Sequence, residues 1–471
     1  MRIPEATTQF ANFTQRRVGL EFENPLVHED GSPVTAGVIQ EMYTRLKQKN
    51  YLGEVEKLSG NVLYVEKPIG QGIVNVSTDC AWSSVELALP PADTLGEAET
   101  VYLQVRDEVL GSLPRQLRWL ALGTVPGKFS PDPIYKTTKP IYRLVPDEYY
   151  HNIFLALNAH QVGISVRLNE ATTLINELTK VSGLVVALCA NSSIQNFSVL
   201  PWEEWRLVAW KFLLLTNKQG TSQLAGFPDK PFLSVADYYS YFWRIKATPF
   251  AAPVRDGAFI SVPPISWFEY FQKTSCEGQD LQGNKQTLYP LPQDLNVAGI
   301  THWPFAKLHI VFDPEKIVLA DFFDSLQSNS LEDYLVDRYT NMYIEFRPIA
   351  AAPKGEELAM PALMLGLAEN VEELQNFTSA YTWEEWKNLV DHAAVAGMNA
   401  RLGKNPCYEL LKPLIDIAFR GLRKRNCKEE NYLVPLYDRI EKKESPAMVV
   451  NKILERQGRE AFLNAITYDR P

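Results

Sequence analysis

The chain has 471 residues and a formal net charge of -9, with 46% hydrophobic and 22% charged residues. That balance is the one a globular protein with a large core requires, and it excludes extensive disorder and the basic stripe of a nucleic-acid footprint. No apolar run reaches the ~18 residues of a membrane span, and Met1 to Arg17 lacks the hydrophobic stretch of a secretion signal.

The cytoplasm is therefore the expected location. The five cysteines, Cys80, Cys189, Cys276, Cys407 and Cys427, are scattered without CxxC spacing, so reduced packing thiols are expected rather than a zinc site or a disulfide framework. At this length the chain suits two or three ordinary domains or one large enzyme body. The basic stretch Arg420 to Lys428 has acidic neighbours and reads as a solvated helix face.

The first element is a strand through Gly19-Leu20-Glu21-Phe22-Glu23. Side chains alternate along a strand, so Glu21 and Glu23 share one face while Leu20 and Phe22 share the other. Two aligned carboxylates repel one another, and a divalent cation relieves that repulsion; the plain alternative is a solvent-exposed edge. Thr35 to Lys49 then reads as a helix, and Glu54 to Lys57, Val62 to Lys67, Ile73 to Thr78 and Ser84 to Leu89 as short strands whose close spacing implies antiparallel pairing. Pro90-Pro91 ends that block, and Ala92 to Leu122 is expected to supply one or two covering helices.

Asn158 to Leu168 alternates again: His160, Val162 and Ile164 on one face, Gln161, Gly163 and Ser165 on the other. Helices are expected at Glu170 to Cys189 and Glu203 to Thr216. An irregular middle rich in Pro, Gly and aromatics runs from Lys218 to Asp313, as in segments that form clefts and lids. Met342 to Ile349 is another strand with Glu345 and Arg347 on one face and Ile344 and Phe346 on the other. From Glu356 to Ala465 the pattern is helical, with amphipathic stretches at Trp383 to Ala396, Tyr408 to Lys424 and Pro446 to Arg456.

The polar strand faces and their ends thus offer Glu21, Glu23, Asp79, Glu86, Gln161, Glu345 and Arg347. Carboxylates from separate strands of one sheet can converge, and an oxygen-rich cluster of this kind suits Mg²⁺ holding substrate phosphates. Phosphoryl transfer is the chemistry to expect. There is no GxxxxGK[ST] loop and no GxGxxG before a helix, which argues against P-loop and Rossmann nucleotide sites.

Several segments, in order, resemble the successive motifs of glutamate-cysteine ligases, especially the plant and proteobacterial branch. They are V-G-L-E-F-E (18–23), S-T-D-C-A-W-S-S-V-E-L (77–87), H-Q-V-G-I-S-V (160–166), A-L-C-A-N-S-S (187–193), Y-I-E-F-R-P (343–348), A-G-M-N-A-R-L-G (396–403) and N-Y-L-V-P-L-Y-D-R-I (431–440). The resemblance implies an α+β fold of the glutamine-synthetase-like carboxylate-amine ligases, a curved antiparallel sheet forming the cleft with helices packed outside. It implies one catalytic domain over 1–471, with a sheet-forming core at about 15–355 and a helical part at about 356–471. It also implies ATP and Mg²⁺, with Glu21, Glu23, Asp79, Glu86 and Glu345 as metal ligands and Gln161 in a place some branches give to histidine.

The same resemblance makes Arg347 the strand arginine that stabilises phosphate and Arg255, in A-P-V-R-D-G, the arginine that meets a substrate carboxylate or phosphate. His160 falls on the opposite face, where a packing role is expected, with a one-residue register slip as the alternative. The implied substrates are L-glutamate and L-cysteine, joined through a γ-glutamyl phosphate to γ-glutamylcysteine, the first step of glutathione synthesis. Two departures stand out: Pro348 to Pro353 replaces the family's Gly/Ser-x-Asp, and Ser193 replaces a proline. They leave the acids in place and open the choice of acceptor, so a ligase for another amine and a non-catalytic scaffold remain alternatives. Monomer and homodimer are both open.

Overall fold

The computed structural model describes residues 15–55, 60–70, 72–79, 81–128, 156–215, 221–246, 254–255, 258–280 and 283–471. Cys80, the end of the strand expected at Glu54 to Lys57, and the last residue of the helix expected at Glu203 to Thr216 lie outside them.

The expected sheet block forms as β1 (Val18–His28), α1 (Ala36–Lys47), β2 (Leu52–Val55), β3 (Val62–Ile69), β4 (Gly72–Thr78) and β5 (Ser84–Ala88). The region after Pro91 differs from expectation. It makes one helix, α2 (Leu95–Leu110), and then a short strand, β6 (Leu117–Trp119), which extends the pairing of β1. α2 starts where Thr94 and Glu97 form a reciprocal capping box. It stops at Gly111, and Leu117 to Leu120 is claimed by backbone pairing with Pro25 to His28.

β7 (His160–Ser165) follows, and the single helix expected at Glu170 to Cys189 is two, α3 (Leu168–Lys180) and α4 (Ser182–Cys189), meeting at a bend of 50°. Every residue of α4 is buried. Among the described residues no single helix is long and apolar enough to cross a membrane. α5 (Trp205–Leu215) and α6 (Val235–Trp243) lead to a strand that the irregular reading of the middle missed, β8 (Ala306–Phe312). β9 (Tyr339–Phe346) completes the sheet, whose order is β8-β9-β7-β1-β5-β4-β3-β2, with every neighbouring pair antiparallel.

One sheet face is core. Leu20 and Phe22, Val162 and Ile164, Ile344 and Phe346, Leu308, and Val85 and Leu87 are all buried there, and Tyr102 of α2 packs on Phe22 with ring centroids 4.5 Å apart. The other face carries the polar residues. The four described cysteines are free thiols, three of them buried; burial pushes the Cys189 thiol up to about 12, consistent with packing rather than reactivity.

After β9 the chain is helical: α7 (Ala359–Glu369), α8 (Val371–Thr378), α9 (Trp383–Ala396), α10 (Cys407–Arg425), α11 (Val434–Lys442) and α12 (Pro446–Ile466), interrupted by a two-residue strand pair at 401–402 and 405–406. This part is tied to the N-terminal strands. Arg425 donates to the Arg16 and Asp93 carbonyls, and Tyr468 N–H donates to the Trp119 carbonyl.

α7 and α10 cross with backbone against backbone. A Cβ at Gly421 would collide with the Gly366 carbonyl, and one at Gly366 with the Ala418 carbonyl. Neither obstacle is a flexible side chain, so Gly421→Ala is expected to lower stability by about 1–3 kcal/mol, read as a fall in the urea midpoint.

Candidate active site

The polar face assembles because pairing register sets its members opposite one another. Glu21 faces Gln161, Glu23 faces Glu86, Ser77 faces Glu86, Gly163 faces Glu345, and Glu345 faces Lys307. Gly163, having no side chain, leaves room between Glu21 and Glu345. Asp79 stands just past the end of β4, its N–H bonded to the Ser84 carbonyl.

A hydrogen-bonded chain links three strands. Glu23 Oε2 accepts from Ala159 N–H at 2.8 Å and Oε1 accepts from Gln161 Nε2 at 3.1 Å. Gln161 Oε1 in turn accepts from Arg347 Nη1 at 2.6 Å, which also donates to Glu345 Oε2 at 2.9 Å. His309 Nε2 meets the same carboxylate oxygen at 2.8 Å. Gln161 accepts from arginine on one side and donates to carboxylate on the other, which fixes the orientation of its amide.

The acids act on each other. Burial, then Glu345, Glu86 and Glu23, hold the Glu21 carboxyl well above its usual range. Burial, then Asp79 and Glu86, push Glu23 up to about 8. Glu345 goes the other way: burial opposes ionisation, but Arg347 and His309 hold it well below the usual carboxylate range. Among the described residues no three His, Cys, Asp or Glu side chains are set to share one metal ion. What exists is a carboxylate excess at Glu21, Glu23, Asp79 and Glu86 beside a compensated Glu345.

A raised carboxyl pKa has a definite sign. The native Glu23 keeps a proton that the unfolded residue releases above 4.5, so its contribution to stability is lost as pH rises from there to about 8. In EDTA, wild-type stability minus that of Glu23→Gln is expected to fall across this window by up to about 1.4 kcal/mol per pH unit; a flat difference in denaturant titrations would contradict the raised pKa.

His160 lies on the core face, as expected. Its ring meets Asn24 Oδ1 at 3.2 Å, accepts from Ala352 N–H at 3.2 Å, and packs edge-on against Phe22. Burial, with the Arg206 charge, pulls it down to about 3, so it is neutral. Arg255 has a strong partner of its own: its guanidinium forms a two-pronged pair with the fully buried Asp294 at 2.5 and 2.9 Å and donates to the Tyr289 carbonyl. The turn-like surroundings of Arg255 gave no sign of this partner, 39 residues away.

Two residues of this face were missed in the sequence, Lys307 and His309 on β8. The Lys307 ammonium is buried, with a hydrogen bond to the Ile300 carbonyl at 3.5 Å, and burial pulls it down to about 7. His309 stacks on Tyr343 at 4.5 Å, and burial with the Lys307 charge pulls it to about 4. The signal was there: A-K-L-H-I-V-F alternates apolar residues with Lys307 and His309.

A broad antiparallel sheet with core on one face and acids, arginine and histidine on the other, flanked by helices, is the framework of a carboxylate-amine ligase. The chain belongs to Glutamate-cysteine ligase family 2 (GCS2), whose model matches residues 17–447. The glutamate–cysteine ligase of Francisella tularensis in complex with AMP shares the fold, with a TM-score of 0.52 at 10% identity over 95% of this chain and 86% of that one. A bifunctional glutathione synthetase from Pasteurella multocida gives 0.49 at 11% identity over 97% of this chain and 51% of that chain, so this chain spans about half its length. The ligase PafA in complex with the prokaryotic ubiquitin-like protein Pup gives 0.36 at 11% identity, over 97% and 72%. No curated protein matches the chain in sequence.

Proposed function

We propose that the protein is an ADP-forming glutamate-cysteine ligase that uses ATP and Mg²⁺ to join the γ-carboxyl of L-glutamate to the amine of L-cysteine. The observation that carries this reading is the chain Glu23–Gln161–Arg347–Glu345, which sets a cation beside a carboxylate-rich face. Amide formation from a free carboxylate is uphill in water. A carboxylate oxygen therefore attacks the γ-phosphorus of ATP, the bond to the β-phosphate oxygen breaks, and ADP leaves. The amine nitrogen then attacks the acyl phosphate carbon, phosphate departs with the C–O electron pair, and the nitrogen loses a proton.

Side chains in such a transfer position groups and balance charge. The clustered carboxylates fit a hard divalent cation with oxygen ligands: Glu21, Glu23, Asp79, Glu86 and Glu345 are the residues that would hold Mg²⁺, which when bound neutralises phosphate charge. Arg347 would balance charge on the transferring group, with Lys307 as a second cation. Arg255, paired with Asp294, would meet a substrate carboxylate or phosphate as the family resemblance implies. Residues 1–471 would act as one catalytic unit.

Two observations favour a second reading, the same chemistry with another amine. Pro348 to Pro353 replaces an acid-bearing segment immediately after Arg347, and an aromatic cleft opens at that residue. The deciding experiment measures ADP release and product mass with Mg-ATP, L-glutamate and a panel of amines. Glutamate-dependent turnover that falls about 100-fold in Glu23→Gln supports the ligase reading. ADP release independent of glutamate overturns it, and no Mg-ATP binding by calorimetry would leave a scaffold.

A further inference from the structure

Two side-chain donors approach Glu345, and both reach the same oxygen. Arg347 Nη1 donates to Oε2 at 2.9 Å, and His309 Nε2 meets that oxygen at 2.8 Å. An ionised carboxylate only accepts, so the contact makes Nε2 the donor and fixes the tautomer of His309. A carboxylate has about two lone-pair sites on each oxygen. Oε2 is therefore filled by protein, while Oε1 receives no donor among the described residues. Lys307, directly across from Glu345, does not take Oε1, because its hydrogen bond goes to the Ile300 carbonyl at 3.5 Å. Glu23 is held differently, with one donor on each oxygen.

The imidazole that sorts these lone pairs is itself fixed. His309 and Tyr343 are direct cross-strand partners of β8 and β9, and their rings stack at 4.5 Å with 2° between the planes. A ring held flat on its neighbour cannot swing its N–H away without losing that contact. Arg347 is the weaker restraint, since the same Nη1 also serves Gln161 Oε1 at 2.6 Å and its charge is proposed to face the transferring phosphate. His309 has no other hydrogen-bond partner among the described residues. Mg²⁺ demands near-ideal octahedral geometry, so a carboxylate that always offers the same oxygen is a better ligand than one free to turn.

We infer that His309 is a positioning residue: by holding Oε2 of Glu345 it leaves Oε1 to the divalent cation and so sets the metal affinity of the site. The inference rests on the reading that Glu345 is a metal ligand.

The test titrates the full chain, without nucleotide, with Mn²⁺, counting the free ion by electron paramagnetic resonance and using Mg²⁺ as competitor. His309→Phe keeps a ring on Tyr343 and loses the N–H; it is expected to weaken Mn²⁺ binding about 10- to 100-fold. His309→Gln returns an N–H at similar reach and is expected to restore binding to within about threefold of wild type. In a Glu345→Gln chain, adding His309→Phe should change Mn²⁺ affinity less than about twofold, because the histidine acts through that carboxylate. The Mg²⁺ concentration for half-maximal ADP release should follow the same order, with kcat at saturating Mg²⁺ falling less than about threefold. Unchanged Mn²⁺ affinity in His309→Phe reduces His309 to packing and overturns the inference alone. His309→Gln as weak as His309→Phe also overturns it, by tying the effect to the ring. So does a further loss of about tenfold in the Glu345→Gln chain, which would make His309 itself a ligand. No Mn²⁺ bound by the wild type in competition with Mg²⁺ overturns the metal reading and this inference together.

Discussion

Replacing Arg347 with methionine is expected to lower glutamate-dependent ADP release by about 100- to 1,000-fold, the usual loss when a preorganised charge is removed from a transferring group. The same change takes a donor from two buried acceptors, since Gln161 Oε1 and Glu345 Oε2 both receive from its Nη1. Breaking a buried pair on one side costs about 3 kcal/mol or more; His309 still serves Glu345, which places the loss at the lower end. Arg347→Lys restores the charge without the planar fork, so it should recover stability more fully than rate. Rate assays and denaturant titrations on both variants check this, and an Arg347→Met rate within about threefold of wild type would remove Arg347 from the reaction.

Lys307→Met is expected to do the opposite to stability. The ammonium is buried with one long hydrogen bond, and burial, reinforced by the Arg347 charge, outweighs the attraction of Glu345 and Glu21. The folded pKa of about 7 lies below the ordinary lysine value of 10.5, so the folded state binds fewer protons than the unfolded one between those values. Wild-type stability from this group therefore rises with pH through that window, and below it the full penalty is present. Methionine fills similar space with no charge and should stabilise the fold at pH 7 by ~3 kcal/mol, the gain shrinking toward pH 10. If Lys307 assists the transfer as proposed, the stabilised variant will be the slower enzyme, a trade met where function requires a strained site. A destabilised Lys307→Met at pH 7 would mean that its pairing with Glu345 exceeds the desolvation cost.

The site was legible where chemistry and strand period coincide. In β1, β7 and β9 the alternate positions Leu20, Phe22, Val162, Ile164, Ile344 and Phe346 are apolar and buried, so the intervening Glu21, Glu23, Gln161 and Glu345 could be placed on one face without knowing the pairing. Gln161 and His160 were separated by that same argument, and their hydrogen bonds keep to opposite faces. Local pattern failed where the decisive partner is distant. β8, though its own residues alternate, was lost because the Pro- and aromatic-rich stretch around it hides a strand that pairs with β9. β6 was absorbed into an expected helix because what makes it a strand is β1, some ninety residues earlier. Nothing near Arg255 announces Asp294, and nothing in the sequence of α5 or α9 announces a shared aromatic cleft.

The order of the sheet also sets when in the life of the molecule the site comes into being. β7 lies between β1 and β9, and Arg347, which follows β9, is 186 residues beyond Gln161. At ~5–20 residues per second that is roughly 10–40 s of synthesis. During that interval β7 can dock on β1, yet its other edge, whose backbone pairs with β9 in the finished sheet, has no strand to cover it. A growing chain thus exposes an unpaired sheet edge of the kind that recruits other chains, and it holds its acids without their arginine. The last strand added to the row both seals that edge and brings the cation, so no product that ends before β9 can present a finished site.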